Sequence, residues 1–282
     1  MMHKPFFSAL QPASPSEQPF FFVFKAEEIL VCRTEKGVHI PRAIDISMLL
    51  SHATESMHYL GVYDAIPCYM TVLAENTMPP AGMVFQSLRA AMHDIDNTDL
   101  FFIASRAKQI AHWDASTQFC GRCGHVTQRS PTERAKVCAR CAALYYPQLA
   151  PVVLALIWRK NEILLARSPH FQKGVYSVLA GFVEPGETLE EACCREVQEE
   201  VGVQIKNLQY FGSQPWPFPS NMMIGFIAEH AQGEIVMDPV EIEDAQWFAL
   251  DALPALPGGL RLPNALSLSR QMIEAFMQRE TL

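Results

Sequence analysis

Three glutamates crowd one short stretch of this chain: Glu196, Glu199 and Glu200, inside GFVEPGETLEEACCREVQEEVGV at residues 181–203. Thr188 followed by Glu191 is a capping-box signature for a helix start. Pro185-Gly186 supplies a turn before it, and Gly202 falls where a left-handed cap would end the helix. Leu189, Cys193, Val197 and Val201 recur at steps of four and form an apolar stripe, which places the three glutamates on the opposite side. At spacings of three and four residues these carboxylates repel one another. They also occupy the C-terminal half, where the helix dipole disfavours negative charge. A bound divalent cation would reverse both penalties, because hard carboxylate oxygens suit Mg²⁺ or Mn²⁺. The plainer alternative is an ordinary acidic amphipathic helix.

A second constellation is Cys120-Gly-Arg-Cys123 followed by Cys138-Ala-Arg-Cys141. Two such knuckles fit a tetrahedral zinc site of four cysteines, one ion per chain, with redox chemistry or free thiols as the alternative. Four sulfur ligands leave no open position for water or substrate, so the zinc is expected to be structural. Cys32, Cys68, Cys193 and Cys194 are scattered and read as small buried hydrophobes. Around the knuckles, Arg122, Arg129, Arg134, Lys136 and Arg140 face only Glu133 in formal charge. Either this excess balances the thiolates, or it forms a surface for phosphate or RNA.

The third stretch is SQPWPFP at residues 213–219. Alternate prolines fix φ and remove backbone donors, so the segment should be stiff and extended. Two readings are open: a preset aromatic face, Trp216 and Phe218, for a flat heterocycle, or a proline-kinked edge strand whose aromatics fill the core.

The elements that must carry these residues follow from hydrophobic periodicity. Residues 20–24, 29–33 and 65–74 read as strands, 47–51 and 98–115 as partly helical, and 76–82 as a loop. No motif in residues 1–115 points to chemistry. Beyond the knuckles, strands are expected at 152–158, 162–167, 175–180, 208–211, 222–228 and 246–249, with a final helix at 264–278. The expected fold class is a multidomain α+β chain. An N-terminal α+β domain (1–115) and a four-cysteine zinc ribbon (116–147) precede a C-terminal domain (148–282) of mixed strands with a helix beside them.

Composition agrees with a well-buried globular chain: 282 residues, 49% hydrophobic and 18% charged. A net charge of −8 argues against broad binding to nucleic-acid backbone. The apolar run at 20–24 is far too short to span a bilayer, and the first residues lack a signal-peptide pattern. A soluble cytoplasmic protein is expected.

Residues 181–203 resemble the Nudix box, G-x5-E-x7-R-E-U-x-E-E-x-G-U with U aliphatic. Gly181, Glu187, Arg195, Glu196, Val197, Glu199, Glu200, Gly202 and Val203 fill every defined position. SQPWPFP followed by Ala228 resembles the signature of the NADH pyrophosphatase subfamily, whose members also carry an N-terminal domain and a zinc ribbon. One departure is Pro219-Ser220-Asn221, where that family continues P-x-S. The resemblance implies a Nudix α/β/α sandwich and metal-dependent hydrolysis of NADH or NAD to AMP and the nicotinamide mononucleotide. It also implies removal of the NAD cap from RNA, and a homodimer.

By motif position, the resemblance makes Glu196 and Glu200 the main ligands of Mg²⁺ or Mn²⁺, with Glu199 assisting and the Ala180 carbonyl as a further ligand. Arg195 orients a box carboxylate, with Glu187 the candidate. Glu241 matches a distant carboxylate of the metal site, with Glu243 and Asp244 competing for that role. Gln214, Pro215, Trp216, Pro217, Phe218, Pro219, Ser220 and Asn221 are expected to line the nicotinamide half, with Phe182 and Tyr146 as aromatic neighbours. Arg89, Glu133 and Ser269 match substrate contacts more loosely. A reading of another class, a non-catalytic nucleotide sensor or a zinc-ribbon nucleic-acid adaptor, is disfavoured by the complete set of box carboxylates.

Overall fold

The computed structural model describes residues 5–12, 18–35, 37–50, 57–95 and 97–278. The chain divides into two compact units, Met1–Gln148 with Pro217–Ser220, and Leu149–Trp216 with Asn221–Leu282.

In the first unit, the apolar run near the N-terminus becomes the centre of a sheet. Its strands are β1 (Phe6–Ser8), β2 (Phe20–Lys25), β3 (Glu28–Thr34), β4 (Gly37–His39), β5 (His58–Tyr63), β6 (Ile66–Val72) and β7 (Met83–Ser87). They lie in the order β1-β5-β6-β2-β3-β4, with β7 paired to β3. The short α1 (Ser47–Leu50) and α2 (Leu88–Asp94) precede the long α3 (Thr98–Ser116). Asn97 caps α3 by accepting from the Asp99 N–H. Residue 51 of the expected helix at 47–51 lies outside the described residues. The sequence did not announce β1, β4, β5, β7 or α2. β8 (Thr127–Arg129), β9 (Lys136–Cys138) and β10 (Leu144–Tyr145) form the small antiparallel sheet of the ribbon.

The second unit is built on one sheet. Its elements are β11 (Ala150–Arg159), β12 (Glu162–Arg167), β13 (Leu179–Phe182), α4 (Leu189–Val201), β14 (Gln204–Trp216), β15 (Asn221–Gln232), β16 (Asp244–Ala249) and α5 (Leu268–Met277). The strand order is β14-β15-β11-β12-β16, with β13 paired to β11. Alternation along β11 makes the layers. Val153, Ala155 and Ile157 pack with Cys193, Val197 and Val201 of α4. Leu154 and Leu156 pack with Leu268, Met272, Ile273 and Phe276 of α5. The result is an α/β/α sandwich in which burial of Val197 or Val201 contributes about 1.5–3 kcal/mol each.

Two expectations shift here. The strand placed at 175–180 forms instead at Leu179–Phe182. The residues before it are held by single bridges, Val175 to Arg261 and Ser177 to Ala166. Residues 208–211 prove to be part of the much longer β14, which includes the first half of SQPWPFP. β14 is an edge strand, where prolines remove no ladder bond that the sheet needs.

Candidate active site

α4 starts as its sequence dictates. Thr188 Oγ1 accepts from the Glu191 N–H while Glu191 accepts from the Thr188 N–H, and Gly202 ends the helix at φ 72°. Gly181, at the start of the box, is required by close approach. A side-chain carbon there would stand 1.8 Å from the Glu196 carboxyl carbon, so only glycine admits that carboxylate over β13.

Arg195 is the hub of the helix surface. Its Nε and Nη2 bind the two Glu187 oxygens at 2.5 and 2.9 Å. Nη1 donates to Glu196 and to Glu199, both at 2.9 Å, and Nη2 also reaches the Phe182 carbonyl. The hydrogen bond from Arg195 holds the Glu187 carboxyl down to about 2, and that same pairing raises the arginine further above its usual range.

Glu196, Glu200 and Glu241 offer oxygens that all lie within 4.8 Å of one another. Glu200 is buried, which corrects its assignment to the face opposite the stripe. It follows Val197 by one helical turn and lies on the flank of the apolar side. One of its oxygens, Oε2, has no hydrogen-bond partner. Burial, then the charges of Glu196 and Glu241, push its carboxyl up to about 8, against a backbone hydrogen bond from Ala180. Glu196 is raised as well, by burial first, with Arg195 opposing. A strand residue turns its N–H and C=O to the same side, so the Ala180 carbonyl also faces Glu200. Mutually repelling carboxylates, of which Glu200 is buried with an orphaned oxygen, are a donor set that fits a hard divalent cation.

The rival carboxylates are committed elsewhere. Glu243 pairs with Arg167, and Asp244 accepts from Tyr176 and Gln246. Glu199 is exposed and pairs with Arg195 at 2.9 Å.

The four ribbon cysteines form the other ligand group. Cys120 and Cys141 sulfurs lie 3.6 Å apart, and Cys123 and Cys138 sulfurs 3.5 Å apart. The surrounding cations have an unforeseen use. Lys136 is buried and bonds Asp114 Oδ1 at 2.9 Å, and Arg129 bonds Asp114 Oδ2 at 3.1 Å and the Met57 carbonyl. Arg134 donates to the carbonyls of Ala9 and Tyr59. Three of the five cations therefore fasten the ribbon to the N-terminal sheet and α3. Burial favours the neutral Asp114, but hydrogen bonds from His58, Lys136 and Arg129 outweigh it and hold the carboxyl well below its usual range. These partners are dispersed along the chain, so no sequence pattern marks the hub.

Among the expected substrate residues, two pairs form within the first unit. The Arg89 guanidinium stacks 4.1 Å over the Phe218 ring, and Tyr146 donates to Glu133 at 2.9 Å. Ser220 donates to the Gln148 carbonyl. In the second unit Phe182 is exposed, Trp216 is half-buried opposite Asn221 at the end of the β14–β15 ladder, and Ser269 lies in the first turn of α5. Gln214 lies on β14. It is buried, its Nε2 donates to the Leu266 carbonyl, and its Oε1 accepts from the Leu268 N–H. Its amide is used to fix the start of α5. Pro215 and Pro219 are exposed, and Pro217 is buried.

A carboxylate-bearing helix beside a mixed sheet, opened by a glycine that only that helix explains, defines a Nudix-type hydrolase domain. The family description NUDIX domain matches residues 148–271. NADH pyrophosphatase zinc ribbon domain matches 115–146, and NADH pyrophosphatase-like rudimentary NUDIX domain matches 19–113. A NAD-capped RNA hydrolase NudC of Pseudomonas fluorescens is 43% identical over 249 residues, covering 87% of this chain and 85% of that protein. The Pseudomonas putida KT2440 protein of the same name is 46% identical over 222 residues, covering 79% and 78%. Among solved structures, a NUDIX hydrolase from Nitrosomonas europaea aligns with a TM-score of 0.48 and 18% identity, over 58% of this chain and 92% of that one. The chain belongs to the Nudix hydrolase family, in its zinc-ribbon NADH pyrophosphatase and NAD-capped RNA hydrolase branch. Sequence reasoning missed the Nudix-like ancestry of residues 19–113, because no box survives there to signal it.

Proposed function

We propose that this protein hydrolyses the pyrophosphate of NADH and NAD to AMP and NMNH or NMN, and removes the NAD cap from RNA 5′ ends to leave a 5′-monophosphate. The observation that carries this reading is the convergence of Glu196, Glu200 and Glu241 beside Ala180, with one buried Glu200 oxygen unpartnered. The names of the relatives, NAD-capped RNA hydrolase, support the substrate class.

In this reading Glu196, Glu200, Glu241 and the Ala180 carbonyl would hold Mg²⁺ or Mn²⁺, and a bound ion would supply charge neutralisation for the pyrophosphate and a more acidic water. Arg195 keeps Glu187, Glu196 and Glu199 in register through its fork. Trp216, Phe218, Phe182 and Tyr146 offer aromatic faces to the nicotinamide half, with Arg89, Glu133, Ser220, Asn221 and Ser269 as polar contacts. Gln214 lines the same half and also holds β14 to α5. The ribbon zinc is structural, one per chain. The domains divide at 1–115, 116–147 and 148–282, and the working form is a cytoplasmic homodimer. Among the described residues, no helix is long and apolar enough to cross a membrane.

The test is direct. The protein is incubated with NADH, and separately with NAD-capped RNA, in Mg²⁺ or Mn²⁺, and AMP or 5′-monophosphate RNA is measured. Glu200→Gln is expected to lower kcat by about 10³-fold with an unchanged circular dichroism spectrum. A wild-type protein that releases no AMP, or a Glu200→Gln variant that turns over normally, would leave a mere binder.

A further inference from the structure

The ribbon contains a contact that binding by four thiolates does not require. Tyr145, on β10, places its hydroxyl 3.1 Å from Cys120 Sγ. The hydroxyl stands over the first knuckle. A side-chain carbon on Gly121 would come within 3.8 Å of it, and the backbone N–H groups of Gly121 and Arg122 face the same oxygen. Zinc binds cysteine as the thiolate. A thiolate has no proton to give, so in the loaded ribbon Tyr145 is the donor and Cys120 the acceptor.

The next residue, Tyr146, makes a different bond. Its hydroxyl donates to Glu133 at 2.9 Å, and its ring is half exposed. One peptide unit therefore connects a zinc ligand's hydrogen bond to the pair assigned above to the nicotinamide side. β10 itself is only two residues long and pairs with β9 at Val137 and Lys136, just before Cys138. So short a strand has few bonds of its own to hold Tyr146 in place.

We propose that Tyr145 is a positioning residue, which by donating to the Cys120 thiolate ties zinc ligation to the placement of Tyr146 and Glu133 on the dinucleotide. The Tyr146 half rests on the function proposed above; the thiolate half does not. The bond works in both directions. It draws electron density from the sulfur and steadies the cluster, as partners of metal ligands do. In return, an intact cluster fixes Tyr145 and hence its neighbour.

The experiment uses the full chain as wild type, Tyr145→Phe, Tyr146→Phe and the double variant. Three quantities are read: zinc release to a chromogenic chelator, the thiolate-to-metal charge-transfer band of the Co²⁺-loaded ribbon, and KM and kcat for NADH. Tyr145→Phe is expected to release zinc about 10-fold faster. Its Co²⁺ band should move to lower energy, because the sulfur has lost a donor. Its KM should rise about fivefold with kcat held. Tyr146→Phe should raise KM while zinc release and the Co²⁺ band stay at wild-type values. The double variant should show no higher KM than the larger single effect. Wild-type zinc release and an unmoved band in Tyr145→Phe overturn the proposal, as do KM effects that multiply in the double variant. A wild type inactive on NADH overturns the dinucleotide reading, and with it the Tyr146 half, while the zinc and Co²⁺ measurements still decide the bond from Tyr145 to the thiolate.

Discussion

Four thiolates in the ribbon and three carboxylates beside α4 both gather negative charge in a small volume, and the two groups are built differently. The sulfurs come from two knuckles, stand 3.5 and 3.6 Å apart within their pairs, and supply the four ligands that zinc takes. Glu196, Glu200 and Glu241 come from one helix and a distant loop, and Glu200 keeps an oxygen without a partner. Arg195 spends its donors on Glu187, Glu196, Glu199 and the Phe182 carbonyl. A donor set that closes on itself can serve architecture. One left short of partners is where an ion and a substrate can still enter.

This contrast can be broken at several points. Cys138→Ser attacks the closed cluster. It is expected to abolish zinc retention and unfold the ribbon, forfeiting on the order of 10 kcal/mol of binding free energy. Zinc content by elemental analysis, read beside a melting curve, checks this. Gly181→Ala attacks the open cluster by displacing the Glu196 carboxylate. A drop of at least about 10²-fold in kcat, with melting temperature nearly held, is the expected outcome of misplacing one ligand by more than an ångström. Arg195→Lys keeps the charge but removes the fork, and steady-state kinetics should show a loss of about 30-fold.

The smallest effect concerns the fastening of the ribbon. Asp114→Asn should lower stability by about 1.5 kcal/mol near pH 7. The native Asp114 carboxyl lies below its unfolded value, so its contribution is full above about pH 4 and declines as pH falls further. Denaturant titrations at several pH values should therefore show the gap between variant and wild type closing in acid. A gap that widened there would mean that Asp114 is not held as its charged form.

Much of the second unit was legible because local signals and tertiary demands agree. Thr188, Glu191 and Gly202 delimit α4 without help from the rest of the fold. The alternation in 152–158 already contains both layers of the sandwich. Legibility ended where long-range partners decide. Glu200 reads as surface in a step-of-four pattern, yet the strand below it supplies the Ala180 N–H and buries it. SQPWPFP leaves two readings open, an aromatic face or a proline-kinked edge strand, and its first half does lie on an edge strand, where prolines are tolerated. The partners of Lys136, Arg129 and Arg134 could not be read from the ribbon alone, because Asp114, Ala9 and Tyr59 lie outside it in sequence.

Gln214 gives the motif strand a dependence on distant chain. By clasping Leu266 and Leu268 with one amide, it makes the opening turn of the last helix and the proline-rich edge a single mechanical part. Drift in the C-terminal helix would thus be passed on to the proline-rich strand, and a chain shortened ahead of Asn264 would lose the clasp along with the helix.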